Sequence, residues 1–248
     1  MAHLQEQIEP ASSHLSNDER IALADYAARA SWPAGFQIYE RGMAADGVFV
    51  VLRGRVVLRS RVRAGRGFVP WVATSGETFG AEGLSANALY ATDARADDET
   101  ETLFLSTSKL RAFVREQPSH ALALIGQVMA ERTVLLDKLR ELTTLSVEQR
   151  LVAMLQRMAS YDGFLDRDGR VELCTSRYRL LCELVGATRE SVSLVLGRLT
   201  AEGLVERAGS TLFIAPTARL FERLNGGSDG VLLVRALVDA SPTTTELQ

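Results

Sequence analysis

Arg189 and Glu190 stand side by side, with Thr188 before them and Ser193 one helical turn later. Arginine carries only donors, ionised glutamate only acceptors, and serine a short group that does both. Such groups, of different reach, on one exposed helical face are what reading base edges in a DNA groove requires. The spacing of Val192, Val195, Leu196 and Leu199 puts these four on the opposite, buried face. Arg189, Glu190, Ser193 and Arg198 then turn outward, and Thr188 is the candidate N-cap.

Other elements must hold that helix in place. Leu180, Leu181, Leu184 and Val185 fall on one face of a preceding helix, and Gly186 follows where the chain has to stop and turn. Two short helices across a glycine turn, with hydrogen-bonding side chains opening the second, predict a helix-turn-helix. Taken alone, the pattern also fits a helical hairpin with solvated charges. Glu202-Gly203-Leu204-Val205 then leads into an apolar strand, Ala208-Gly209-Ser210 is a turn, and Thr211 to Ile214 is a second strand, which adds a wing. The segment is mildly basic, with Arg177, Arg179, Arg189 and Arg198 against Glu183 and Glu190. The whole chain of 248 residues carries a net charge of −3, which argues against a non-specific nucleic-acid binder and leaves positive charge confined to one face.

The front half has a different texture. Leu15 to Ala30 reads as a helix, with Ser16 and Glu19 at capping-box spacing. From Trp32 to about Leu105 the chain alternates short apolar runs with glycine turns, which predicts an antiparallel β-roll of the jelly-roll kind. A long amphipathic helix follows, opened by Pro118. Leu122, Ile125, Met129, Arg132, Leu136, Leu139 and Thr143 recur along it at three- and four-residue steps, a seam near the heptad period. The pattern fits one core-facing helix of the roll, but Leu135 and Leu142 widen the stripe, so that it also fits a helix with one face on the roll and the seam against a second copy of the chain. Arg132 in such a seam must pair or snorkel. The fold class expected is α+β. Residues 1–117 are expected to form the β-roll, 118–145 the long helix, 146–225 the winged helix-turn-helix and 226–248 a C-terminal extension that begins as a flexible linker.

Taken together these residues resemble the bacterial Crp/Fnr family of transcription regulators. The helix-turn-helix match rests on Gly186, Thr188-Arg189-Glu190-Ser191-Val192-Ser193, Leu196, Arg198-Leu199 and Glu202-Gly203-Leu204. The roll match rests on Gly35-x-x-Ile38-x-x-x-Gly42, Val48 to Val51, Gly54-x-Val56 and Gly76-Glu77-x-Phe79-Gly80, which is similar to the family's cyclic-nucleotide-binding fold. The resemblance implies a homodimer on a palindromic site in double-stranded DNA, an effector acting through the long helix, and RNA polymerase as a further partner. It implies that Arg189 donates to a guanine and Glu190 accepts from a cytosine, with Thr188, Ser193, Arg198 and Arg177 around them. It places the dimer interface on Leu122, Ile125, Met129, Arg132, Leu136 and Leu139.

The chain departs from the family's cyclic AMP cassette in three places. Ala81 stands where the ribose glutamate belongs, with Glu82 one position late. Tyr90 and Ala91 replace the arginine and hydroxyl residue that face the phosphate. Leu135 and Leu136 replace the polar pair that touches adenine. The candidate effector pocket is therefore Gly80, Ala81, Glu82, Tyr90, Ala91 and Leu135. Cyclic AMP is not expected to be the effector, because a phosphate buried without a cation and donors is costly. Arg95, Arg63 and Arg66 are either cations for another anion or surface and cross-strand charges.

Cys174 and Cys182 lack paired metal-ligand spacing, and Cys182 reads as a small buried hydrophobe. His3, His14 and His120 are scattered. The family's iron–sulfur cysteines and haem ligands have no counterpart here. No cofactor, metal site or enzymatic activity is expected, nor a signal peptide or membrane span, so the expected location is the cytoplasm. Two other readings stand beside the effector-controlled regulator. One is a constitutive regulator without a small-molecule effector. The other is a ligand-binding signalling module whose helix-turn-helix makes protein contacts.

Overall fold

The computed structural model describes residues 14–61, 67–159, 167–214 and 220. Of the residues singled out above, His3, Arg63, Arg66 and the segment 226–248 lie outside them. The chain divides into two compact units between Lys138 and Leu139.

The first unit opens with α1 (Asn17–Ala24). Ser16 caps it reciprocally: its Oγ accepts from the Glu19 N–H at 3.3 Å, and its own N–H donates to Glu19 Oε2 at 2.6 Å. The helix ends at Ala24 rather than Ala30, and Ala28–Trp32 is strand β1. Its alanines favour a helix intrinsically. Long-range pairing overrides that preference: β1 is in register with β8 (Thr100–Ser106) from Ala28 opposite Phe104 to Trp32 opposite Thr100. Trp32 Nε1 also donates to Thr102 Oγ1 at 2.9 Å.

The remaining strands are β2 (Gln37–Tyr39), β3 (Gly47–Arg53), β4 (Val56–Arg61), β5 (Gly67–Ala73), β6 (Thr78–Phe79) and β7 (Asp93–Ala96). They form two four-stranded antiparallel sheets, ordered β1-β8-β3-β6 and β2-β7-β4-β5. Side chains alternate across a strand, so β3 serves two cores. Val48 and Val50 pack with Leu23, Leu105 and Phe113, while Phe49 and Val51 pack with Tyr39, Leu58, Phe79 and Tyr90. Burial on both faces is why β3 reads as an unbroken apolar run.

After α2 (Thr107–Glu116) comes α3 (Pro118–Thr144), which Pro118 opens. Ala121 and Leu124 join the first core, and Gln127 is buried further along. The other side of α3 carries Leu122, Ile125, Met129, Leu136 and Leu139, each large, apolar and 46% to 68% exposed.

The second unit holds α4 (Val147–Ala159), β9 (Val171–Leu173), α5 (Thr175–Val185), α6 (Arg189–Ala201), β10 (Val205–Ala208) and β11 (Thr211–Ile214). The strands pair antiparallel in the order β10-β11-β9. β10 and β11 are joined by Gly209-Ser210, and Gly209 takes the positive φ (+61°) that a two-residue hairpin loop demands. Helix α4 packs on α5 and α6, and Leu151, Leu155, Leu181, Leu199 and Ile214 are fully buried. Glu141, buried in the last turns of α3, is held by both terminal nitrogens of Arg157 from α4 at 2.5 and 3.2 Å.

Candidate nucleic-acid interface and effector pocket

The turn between α5 and α6 is fixed locally. Gly186 adopts the left-handed conformation (φ +66°) and donates to the Cys182 carbonyl. Cys182 is buried, and burial pushes its thiol pKa up, so it serves as a small apolar residue. Thr188 Oγ1 then accepts from the Ser191 N–H at 3.2 Å and starts α6. Val192, Val195, Leu196 and Leu199 are buried, which turns Ser193 outward and leaves Leu194 73% exposed.

Arg189 lies over the Tyr178 ring, its guanidinium carbon 5.5 Å from the centroid. Glu190 is held below the ordinary carboxylate range by a hydrogen bond from its own backbone N–H and then by one from Thr188. It is therefore a committed acceptor at the positive end of α6. Arg189, Glu190 and Ser193 line one side of a concavity of about 550 Å³, with Arg207 and Ser210 of the wing and Tyr178 of α5 completing it. Arg198 is exposed on α6, but its Nη2 pairs with Glu148 of α4 at 2.9 Å. Arg177 Nη1 reaches Glu172 Oε2 at 3.3 Å and the Glu172 carbonyl at 3.2 Å. These two guanidinium groups tie the domain together and do not line the concavity.

In the roll, Gly80 is left-handed (φ +73°), and a Cβ there would come within 3.1 Å of the Tyr90 ring. Ala81 opens a short 3-10 turn ending at Leu84. Glu82 Oε1 accepts from the Ala91 N–H at 3.0 Å. Tyr90 is buried and stacks on Tyr39 with ring centroids 3.7 Å apart and planes 9° from parallel. Phe49 and Phe79 continue the aromatic packing at 4.8 Å. Burial pushes the Tyr90 phenol up to about 12. The space beside Gly80 is thus filled by rings, and the Tyr90 hydroxyl meets the Gly47 carbonyl at 3.5 Å. Arg95 Nε donates to the Gly35 carbonyl at 2.6 Å, a cross-strand role. Leu135 is 38% exposed on α3.

On α3, Glu131 interacts with charges of the roll. Burial raises its pKa to about 7, followed by the charges of Glu82 and Glu77, and its Oε2 is buried with no hydrogen-bond partner. Glu77 is also raised to about 7 by burial, although the Thr74 N–H and hydroxyl donate to it at 2.7 and 2.9 Å. His14 Nε2 lies 3.7 Å from Glu77, its own pKa lowered by burial and by Arg20. An acid whose folded pKa lies above its unfolded value favours folding at low pH and loses that contribution as pH rises through the folded pKa. For Glu131 the loss runs from about 4.5 to about 7. Glu131→Gln should therefore melt several degrees above wild type near pH 8, and the gap should shrink near pH 5. Calorimetry in which wild type melts higher near pH 8 contradicts this. Glu131 reads in the sequence as one more solvated helix charge. Its only signal is the step of three and four residues from Leu124 and Gln127.

Among the described residues there is no group of three or more His, Cys, Asp or Glu able to hold a metal ion, and no helix long and apolar enough to cross a membrane.

Residues 29–117 match the cyclic nucleotide-binding domain, and residues 149–223 match the Crp-like helix-turn-helix domain. The chain is 30% identical over 208 residues to the cyclic AMP receptor protein of Thermus thermophilus, a match covering 82% of this chain and 92% of that protein. It is 21% identical over 187 residues to the cAMP-activated global transcriptional regulator CRP of Salmonella typhimurium, covering 75% of this chain and 89% of that one. Its fold is shared with the c-di-GMP responsive global regulator CLP of Xanthomonas campestris, at a TM-score of 0.72 and 22% identity over 82% of this chain and all of the other. A jelly-roll, a long helix and a winged helix-turn-helix, in that order and along nearly the whole length of a relative, place the chain in the Crp/Fnr family of transcription regulators.

Proposed function

We propose that this regulator is a homodimer that reads a palindromic DNA site through the first turns of α6. The carrying observation is the exposed trio Arg189, Glu190 and Ser193, set beside Arg207 and Ser210 of the wing in one concavity. Arg189 donates to guanine O6 and N7, and Glu190 accepts from cytosine N4. Leu194, exposed between them and the next turn, offers a thymine methyl an apolar contact in place of a polar one. The working division is residues 1–117 as sensor, 118–145 as dimer helix, 146–225 as DNA reader and 226–248 as an extension. The protein acts on DNA in the cytoplasm as a regulator rather than an enzyme, with RNA polymerase as a further partner.

Control would run through α3: an effector that binds one arrangement of the paired helices better than the other shifts the spacing of the two readers. Of the relatives named above, two are by name a cyclic AMP receptor and a cAMP-activated regulator, and the third is c-di-GMP responsive. Here Tyr90 stacks on Tyr39 at the phosphate position and Ala81 replaces the ribose partner, so the effector is not cyclic AMP. The same stack supports a second reading, a constitutive regulator whose roll is closed by its own side chains.

Replacing Arg189 with Ala should cost about 1–3 kcal/mol on the preferred site and relax specificity at one base pair per half-site. Selection from a randomised duplex pool checks it. A variant that keeps the parent's base preferences removes the assignment.

A further inference from the structure

Arg189 occupies the first position of α6, where a long side chain is free to sweep a wide arc unless another element holds it. Tyr178, from the preceding helix, holds it from two directions. Its ring lies under the Arg189 guanidinium at 5.5 Å, within the range of a cation–π contact. Its hydroxyl donates to the Arg189 carbonyl at 3.3 Å. Ser193, one turn further along α6, hydrogen-bonds to the same phenol. One aromatic side chain thus touches both the residue proposed to read guanine and its neighbour on the same face.

We infer that Tyr178 is a positioning residue for base reading, setting the direction in which Arg189 enters the DNA groove. This rests on the reading of α6 as the recognition helix. The chemistry suits the task. The N–H groups of a guanidinium lie in its plane, so a guanidinium laid on a ring keeps its outer edge free for two parallel hydrogen bonds to guanine O6 and N7. Holding the side chain there before DNA arrives removes an ordering cost from binding. Burial raises the phenol pKa, against the opposing effects of Ser193, Arg189 and Arg207, so the hydroxyl remains a neutral donor at physiological pH. Tyr178 lines the concavity itself. A direct hydrogen bond from its hydroxyl to a DNA phosphate is therefore the competing role, and the two roles give opposite results.

The test uses the full chain and its Tyr178→Ala, Tyr178→Phe and Arg189→Ala variants in selection from a randomised duplex pool, with melting temperatures and salt titrations of binding. Tyr178→Ala should lower the preference for guanine at the Arg189 position about two- to fivefold, the equivalent of a solvent-exposed cation–π contact. Other positions and the salt slope should stay as in wild type. Tyr178→Phe, which keeps the ring, should retain most of the preference. An unchanged guanine preference in Tyr178→Ala overturns the inference. So does a uniform loss of affinity at every position, whether Tyr178→Phe shares it at an unchanged salt slope, the mark of a phosphate contact by the neutral hydroxyl, or it comes with a large fall in melting temperature, the mark of a purely structural role. If Arg189→Ala also leaves base preference untouched, the reading of α6 itself fails, and the role of Tyr178 with it.

Discussion

Glutamate at both Met129 and Leu139 should convert the proposed dimer to monomers and remove specific DNA binding with it. Among the described residues, Leu122, Ile125, Met129, Leu136 and Leu139 form an apolar stripe along α3 that stays about half exposed or more. A stripe at three- and four-residue steps is the surface that a second, two-fold related α3 buries. In such an interface each residue near the axis faces its own copy. Two introduced carboxylates per chain then put four negative charges into an apolar seam, and burying an unpaired charge costs several kcal/mol. DNA recognition falls with the dimer, because one recognition helix spans too few bases to select a site. Sedimentation of the double variant should give a monomer, and binding to the preferred duplex should drop to the non-specific level. A double variant that still sediments as a dimer means that the seam lies elsewhere.

Cyclic AMP titrated into the wild-type protein should give no binding heat in the micromolar range and no gain in DNA affinity. Three independent features oppose the nucleotide. Tyr90, which the family resemblance sets at the phosphate position, is buried and stacked on Tyr39 at 3.7 Å, so the anion would have to displace a ring. Glu82 is already engaged with the Ala91 N–H at 3.0 Å, and Ala81 has no acceptor for a ribose hydroxyl. From α3, Glu131 interacts with the charge of Glu82 and would repel a phosphate when ionised. Each unmade charged hydrogen bond costs about 1–3 kcal/mol. Tyr90→Arg alone should not create tight nucleotide binding, since the other two features remain. A micromolar or tighter Kd in titration calorimetry, with a matching rise in DNA affinity, overturns the exclusion.

What was legible in the sequence follows the range of the interactions involved. The α5–turn–α6 unit and the hairpin at Thr211 to Ile214 were readable residue by residue, because caps, glycine turns and apolar spacing act within a few positions. Thr188 caps α6 and Gly186 turns left-handed as their types require. The start of α3 at Pro118 is of the same kind. β1 was not readable, because an alanine-rich run looks helical until β8, over seventy residues later, offers it backbone partners. Tyr178, Arg207 and Glu131 escaped for the same reason. The Tyr178 ring meets Arg189 only once the helix-turn-helix angle is set. Glu131 becomes a buried, unpartnered carboxylate only when α3 lies on the roll. Likewise the Arg198–Glu148 pair spans two helices that no local pattern connects.

The most direct measurement is selection of duplexes from a randomised pool by the full-length wild-type chain. The expected product is a two-fold symmetric motif with half-sites about 10 base pairs apart, one DNA turn or roughly 34–36 Å, each carrying a G·C pair where Arg189 and Glu190 read. No enriched sequence, or a single unpaired half-site, would contradict a dimeric regulator reading DNA through α6.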